Sequence, residues 1–133
     1  MSKSPTQTIM RSTLGRARGL GAAKSGTAHW WAERVTSAAL VPLTLWFVLA
    51  IYRLAGQSAA EIAHWVASPV NATLLLALIG VTFHHMALGL QVVLEDYIHS
   101  EKTRLAAILV MKAGTWLLAI AAILSVLKLA VIG

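Results

Sequence analysis

Three long apolar stretches joined by short polar links dominate the chain. The first runs from Val35 to Tyr52, eighteen residues without a formal charge, and closes at Arg53 and the polar link Gly56-Gln57-Ser58. The second lies within residues 62–94, which contain no Asp, Glu, Lys or Arg, and its apolar core extends from Val70 to Val93. Ser68, Pro69 and Asn71 supply the residue types that start a helix. The third stretch, Leu105 to Ile132, is interrupted by Lys112 and carries Lys128 near its far end; both side chains are long enough to snorkel toward an interface. A helix that crosses the roughly 30 Å hydrocarbon layer needs about 20 apolar residues. The pattern therefore predicts three transmembrane helices, at residues 35–54, 70–94 and 105–132. Pro42 falls in the first turns of the first span, where a kink or a neighbouring helix must re-satisfy the carbonyl it frees.

Composition agrees with that reading. Of the 133 residues, 58% are hydrophobic and 12% charged, against about 25% charged in an ordinary soluble domain. The fold class expected is an all-α membrane protein with no large domain outside the bilayer. The chain has no cysteine, which excludes disulfides and any Cys-ligated zinc or iron–sulfur cluster, so a metal here would be bound through nitrogen or oxygen.

The net charge of +6 is concentrated at one end. Residues 1–34 hold six of the eleven cations (Lys3, Arg11, Arg16, Arg18, Lys24, Arg34) against one anion, Glu33. This segment reads as a polar basic arm on the cytoplasmic side, followed by a three-helix membrane region over residues 35–133. A removable organelle transit peptide has a similar Arg- and Ser-rich, acid-poor composition. With the arm inside, the Arg53–Ser68 link and the C-terminus lie outside and the Ile98–Arg104 link inside, as the positive-inside rule also favours for Lys102 and Arg104. Trp30 and Trp31 at one end and Trp65 at the other suit opposite interfacial belts, while Trp46 and Trp116 fall deeper. The charge distribution gives no reason to invoke nucleic acid.

Chemistry concentrates in the second span, at His84 and His85. Ionisable side chains at membrane depth are costly and usually face a protein interior, a partner or a cofactor. The two histidines point about 100° apart on a helix and cannot both ligate one metal ion from the same side. Either is a ligand candidate, and the other then bonds to a neighbour. Gly89 lies one turn beyond His85 and about 40° around the axis, which clears room for a flat macrocycle or for close packing of another helix. His85 is twelve residues, about 18 Å, from Tyr97. If Tyr97 marks the cytoplasmic interface, His85 lies near mid-membrane. His29 and His99 are interfacial and His64 is on the opposite side, so a second deep ligand must come from another chain.

Glu95-Asp96-Tyr97 closes the second span. Tyr97 serves either as an aromatic-belt residue or as a hydrogen-bond donor to a carbonyl of a small molecule, with Asp96 orienting it or a nearby cation. Arg34, on the same side, has a fork suited to Asp96, to a lipid phosphate or to a haem propionate.

These residues resemble a known family. The run His85-Met-Ala-Leu-Gly89-Leu-Gln-Val-Val-Leu-Glu-Asp96-Tyr97 is similar to the signature of the smaller hydrophobic membrane anchor of succinate dehydrogenase. The stretch from Gly19 through Gly26, His29 and Arg34 to Thr36 resembles that anchor's approach to its first span. The resemblance covers residues 15–133. It implies an anchor, not catalytic alone, that pairs with a sister membrane anchor and holds a flavoprotein and an iron–sulfur subunit on the membrane. Electrons from succinate then reach ubiquinone, and a b-type haem is shared with the sister anchor. Carried over by position, His85 is the haem axial ligand, Tyr97 and Asp96 belong to the quinone site, and Arg34 and His29 belong to a propionate or site network. The expected location is the bacterial inner membrane, or the mitochondrial inner membrane in a eukaryote, with the N-terminus cytoplasmic and the C-terminus periplasmic. Two other readings stay open at this point: the anchor of a related fumarate reductase, and a non-redox small membrane protein such as a transporter component or assembly factor.

Overall fold

A computed structural model of the chain describes residues 13–14 and 25–132, and over residues 25–132 it forms four helices: α1 (Ser25–Leu54), α2 (Ala59–Ala67), α3 (Pro69–Tyr97) and α4 (Glu101–Ile132). The segments Gly26–Leu54, Pro69–Tyr97 and Glu101–Ile132 are long and apolar enough to cross a membrane. The three expected spans are therefore present. Most of the expected basic arm lies outside the described residues.

Each spanning helix overruns its apolar stretch. α1 starts at Ser25, well before Val35, and α4 starts at Glu101 rather than Leu105. Hydropathy reports where a helix becomes apolar, whereas the helix itself needs only unbroken backbone bonding, which His29-Trp30-Trp31-Ala32-Glu33-Arg34 permits. α1 also continues through Pro42 to Leu54. α3 has 29 residues, about 43 Å of helix against a roughly 30 Å hydrocarbon layer, so its ends stand outside it.

α3 is the central element. It packs against α1 on one side and α4 on the other, and the short α2 lies across α3 and α4. The Arg53–Ser68 link, expected to be a loop, is thus partly helical. Gly56 turns the chain out of α1 with φ +85°, a left-handed conformation that favours glycine. Ser58 then caps α2 by accepting from the Glu61 backbone N–H at 3.3 Å, while the Glu61 carboxylate accepts from the Ser58 backbone N–H at 2.7 Å. This reciprocal box is legible as Ser-x-x-Glu. The Ser58 hydroxyl, and after it the Ser58 backbone N–H, hold the Glu61 carboxyl below the usual carboxylate range. α3 follows with Ser68 as N-cap and Pro69 in its first turn, as expected, and the Asn71 side chain donates back to the Trp65 carbonyl at 2.8 Å.

The interior is small. Among the described residues only Ala50, Val66, Leu75, Thr115 and Ala119 are buried, while large apolar side chains such as Leu45, Leu117 and Ile132 are exposed. Hydroxyls within the spans bond to the carbonyl one turn back: Thr73 to Pro69, Thr115 to Met111 and Ser125 to Ala121, at 2.7–2.8 Å. A hydroxyl satisfied in this way can sit in hydrocarbon at little cost.

Candidate functional site

The neighbouring histidines of α3 face different helices. His85 is half-buried against α1, where its Nδ1 lies 2.8 Å from the Thr36 Oγ1. His84 is on the α4 side and, with Phe83, Gln91, Lys112 and Trp116, lines a cavity of about 250 Å3 between α3 and α4. The 100° offset of consecutive helical residues produces this division. Thr36 lies inside the motif that leads into the first span, but its contact joins positions 49 apart in sequence, and no local pattern announces it.

The Thr36–His85 contact fixes the level of α1 against α3. Trp30 and Trp31 lie six and five residues before Thr36, about 8–9 Å toward the helix start, and Val93 lies eight residues past His85, about 12 Å. The tryptophans therefore come to rest just inside the level where the apolar run of α3 ends, as an interfacial belt requires. Tyr97, a further four residues along, extends about 6 Å beyond that level and is 80% exposed. Asp96 beside it is also exposed, and neither residue is near Thr36 or His85 along the axis.

Arg34 is only two residues from Thr36, about 3 Å along α1. Its guanidinium lies 5.2 Å from the centroid of the Trp30 ring. The cation thus seats on an aromatic face rather than against Asp96, one of the partners its fork would suit. Trp30 in turn meets Trp31 edge to face at 5.1 Å. His29 is half-buried, and its Nε2 is shielded without a hydrogen-bonding partner among the described residues.

Gly89, one turn beyond His85, is exposed, and a methyl group built on it would meet nothing within 4 Å. Among the described residues it is therefore not a contact point for a neighbouring helix, and the surface beside His85 is open. Among the described residues no three His, Cys, Asp or Glu side chains converge. The site can offer one imidazole nitrogen to an axial position, but it is not a chelating cage.

Three long apolar helices, with a half-buried histidine on the central one, define a small multi-pass membrane protein. The comparisons name the group more closely. The model of the succinate dehydrogenase/fumarate reductase transmembrane subunit family matches residues 8–126, and the chain belongs to this family. It is 36% identical over 118 residues to the succinate dehydrogenase hydrophobic membrane anchor subunit of Rickettsia bellii, covering 87% of this chain and 93% of the relative. The protein of the same name from Paracoccus denitrificans is 30% identical over 113 residues, covering 85% of this chain and 87% of the relative. The succinate dehydrogenase membrane anchor subunit of Reclinomonas americana is 27% identical over 92 residues, 67% of this chain and 77% of the relative. No solved structure matches the chain.

Proposed function

We propose that this chain is the membrane anchor of a succinate:ubiquinone oxidoreductase, holding a flavoprotein and an iron–sulfur subunit on the bacterial inner membrane beside a sister anchor. The observation that carries the cofactor part of the reading is the placement of His85: half-buried at membrane depth, with Nδ1 engaged by Thr36 and open space at Gly89 one turn away. These residues fit a flat macrocycle bound through one nitrogen, and the shielded Nε2 of His29, without a hydrogen-bonding partner among the described residues, fits a polar group arriving from elsewhere. A b-type haem, when bound, supplies a one-electron redox centre within the membrane. His85 would hold it from this side and the sister anchor from the other, with Arg34 and His29 toward its propionates.

The same reading gives the interfacial end of α3 to the quinone. Tyr97 extends past the apolar run, where water and the soluble subunits are within reach, and its hydroxyl can donate a hydrogen bond to a quinone carbonyl. Asp96 orients that hydroxyl or a nearby cation. A quinone is apolar, yet its reduction develops charge on the carbonyl oxygens, so the head belongs at this level and the tail among the exposed apolar side chains of the helices. The basic arm faces the cytoplasm, and the C-terminus faces the periplasm.

Purification of the complex through this chain tests the proposal. The expected result is a reducible b-type haem accompanied by three partner chains, with His85→Ala altering the reduced-minus-oxidised spectrum. A preparation with neither haem nor flavoprotein would support a non-redox membrane protein instead. The relatives above are all named for succinate dehydrogenase, which favours this direction over fumarate reduction; the quinone potential and the assayed direction separate the two.

A further inference from the structure

Thr36 has three polar neighbours and one hydrogen. Its Oγ1 lies 2.7 Å from the Ala32 carbonyl, 3.1 Å from the Glu33 carbonyl and 2.8 Å from His85 Nδ1. Both carbonyl oxygens are acceptors only, and at 2.7 Å an oxygen pair without a shared hydrogen is repulsive. The hydroxyl hydrogen therefore goes to the carbonyl one turn back, the same bond that Thr73, Thr115 and Ser125 make in their own helices. Thr36 then turns a lone pair toward His85, and a short contact to that lone pair requires the hydrogen on Nδ1. In a neutral imidazole only one ring nitrogen carries a hydrogen, so Nε2 is left with its lone pair free.

We infer that Thr36 is a positioning residue that locks His85 in the Nδ1–H form, with ring orientation fixed and Nε2 presented as the donor atom to an iron-centred macrocycle. This rests on the haem reading of His85 given above. The device uses the ordinary helix geometry of α1. Back-bonding to Ala32 immobilises the hydroxyl, and this immobilised hydroxyl specifies the tautomer of a residue on another helix. A hydrogen bond accepted from the far nitrogen also makes an imidazole a stronger electron donor, and such outer partners typically change metal affinity or activity by about 10–100-fold when removed. His84, one residue away, faces the α3–α4 cavity.

The test uses the whole complex, purified through this chain, with Thr36→Val, Thr36→Ala and Thr36→Ser. Valine keeps the shape and removes the hydroxyl; alanine removes it while favouring the helix; serine restores it. The expected result is that valine and alanine lower the haem-to-protein ratio about 10-fold under haem-limiting conditions. The haem that remains should titrate at a higher midpoint potential, because a weaker donor stabilises the ferric state less, and serine should return both readouts toward wild type. Assembled valine or alanine complexes with wild-type haem retention and midpoint potential would overturn the inference, as would a serine variant indistinguishable from valine. His85→Ala separates the two levels: a wild-type spectrum in that variant removes the haem reading itself, whereas an altered one alongside unaffected Thr36 variants removes only the role of Thr36.

Discussion

Trp46 of α1 stacks on Trp65 of α2, with ring centroids 5.7 Å apart and planes inclined by 21°. α2 otherwise packs on α3 and α4, so this pair ties the short helix to α1, the first spanning helix. The Asn71 hydrogen bond to the Trp65 carbonyl holds the ring's own backbone from the α3 side. A double-mutant cycle with Trp46→Leu and Trp65→Leu, read by unfolding in detergent, should give a coupling of about 0.5–1.5 kcal/mol, the ordinary worth of an aromatic pair beyond its buried area. Additive effects would mean the rings are neighbours without interaction.

The position of Tyr97 outside the apolar run predicts a selective defect. Tyr97→Phe should lower quinone reductase activity about 10-fold or more, the effect of losing a hydrogen bond to a group that becomes charged. Succinate oxidation with an artificial soluble acceptor should persist, since that reaction needs only the flavoprotein and iron–sulfur subunits. Equal loss in both assays would assign Tyr97 a structural role.

Open space at Gly89 makes a second clean distinction. Because none of the described residues lies within 4 Å of an added methyl, Gly89→Leu should leave insertion and α1–α3 packing intact. The haem-to-protein ratio of the complex should nevertheless fall several-fold, with Gly89→Ala intermediate. Wild-type haem content in the leucine variant would place the macrocycle elsewhere.

The α2 cap carries a pH dependence whose sign follows from Glu61. Its carboxyl is held below the usual range in the folded chain by the Ser58 hydroxyl and backbone N–H. The folded value is thus lower than the unfolded one, so the contribution is fully present above the ordinary carboxylate range and is lost as pH falls through the folded value. Amide exchange in α2 should quicken in acid relative to that in α3, and Glu61→Gln should abolish this difference. An α2 that frays equally at all pH values would show that packing of Val66, not the cap, holds it.

The three spans were legible because their signal is local: some twenty consecutive apolar residues can be read without knowing what they touch. The start of α3 was legible for the same reason, through Ser68 and Pro69. α2 was missed although its Ser58-Ala-Ala-Glu61 box is written in the sequence, because nine residues between two long apolar stretches read as a link. His85 stood out by its cost in hydrocarbon. Its hydroxyl partner did not, since a threonine in a membrane helix is already satisfied by its own backbone and only the packing of α1 on α3 gives it a second task.

The small interior of the described residues has a consequence for how much of this protein a cell can hold. A bundle with so few enclosed side chains gains little free energy from its own closure, and lipid tails compete evenly for its apolar surface. Its persistence then follows mass action with whatever binds the closed form. Made in excess of its partners, the chain should be short-lived and cleared by membrane proteases, so that its abundance tracks the scarcest member of the assembly rather than its own rate of synthesis.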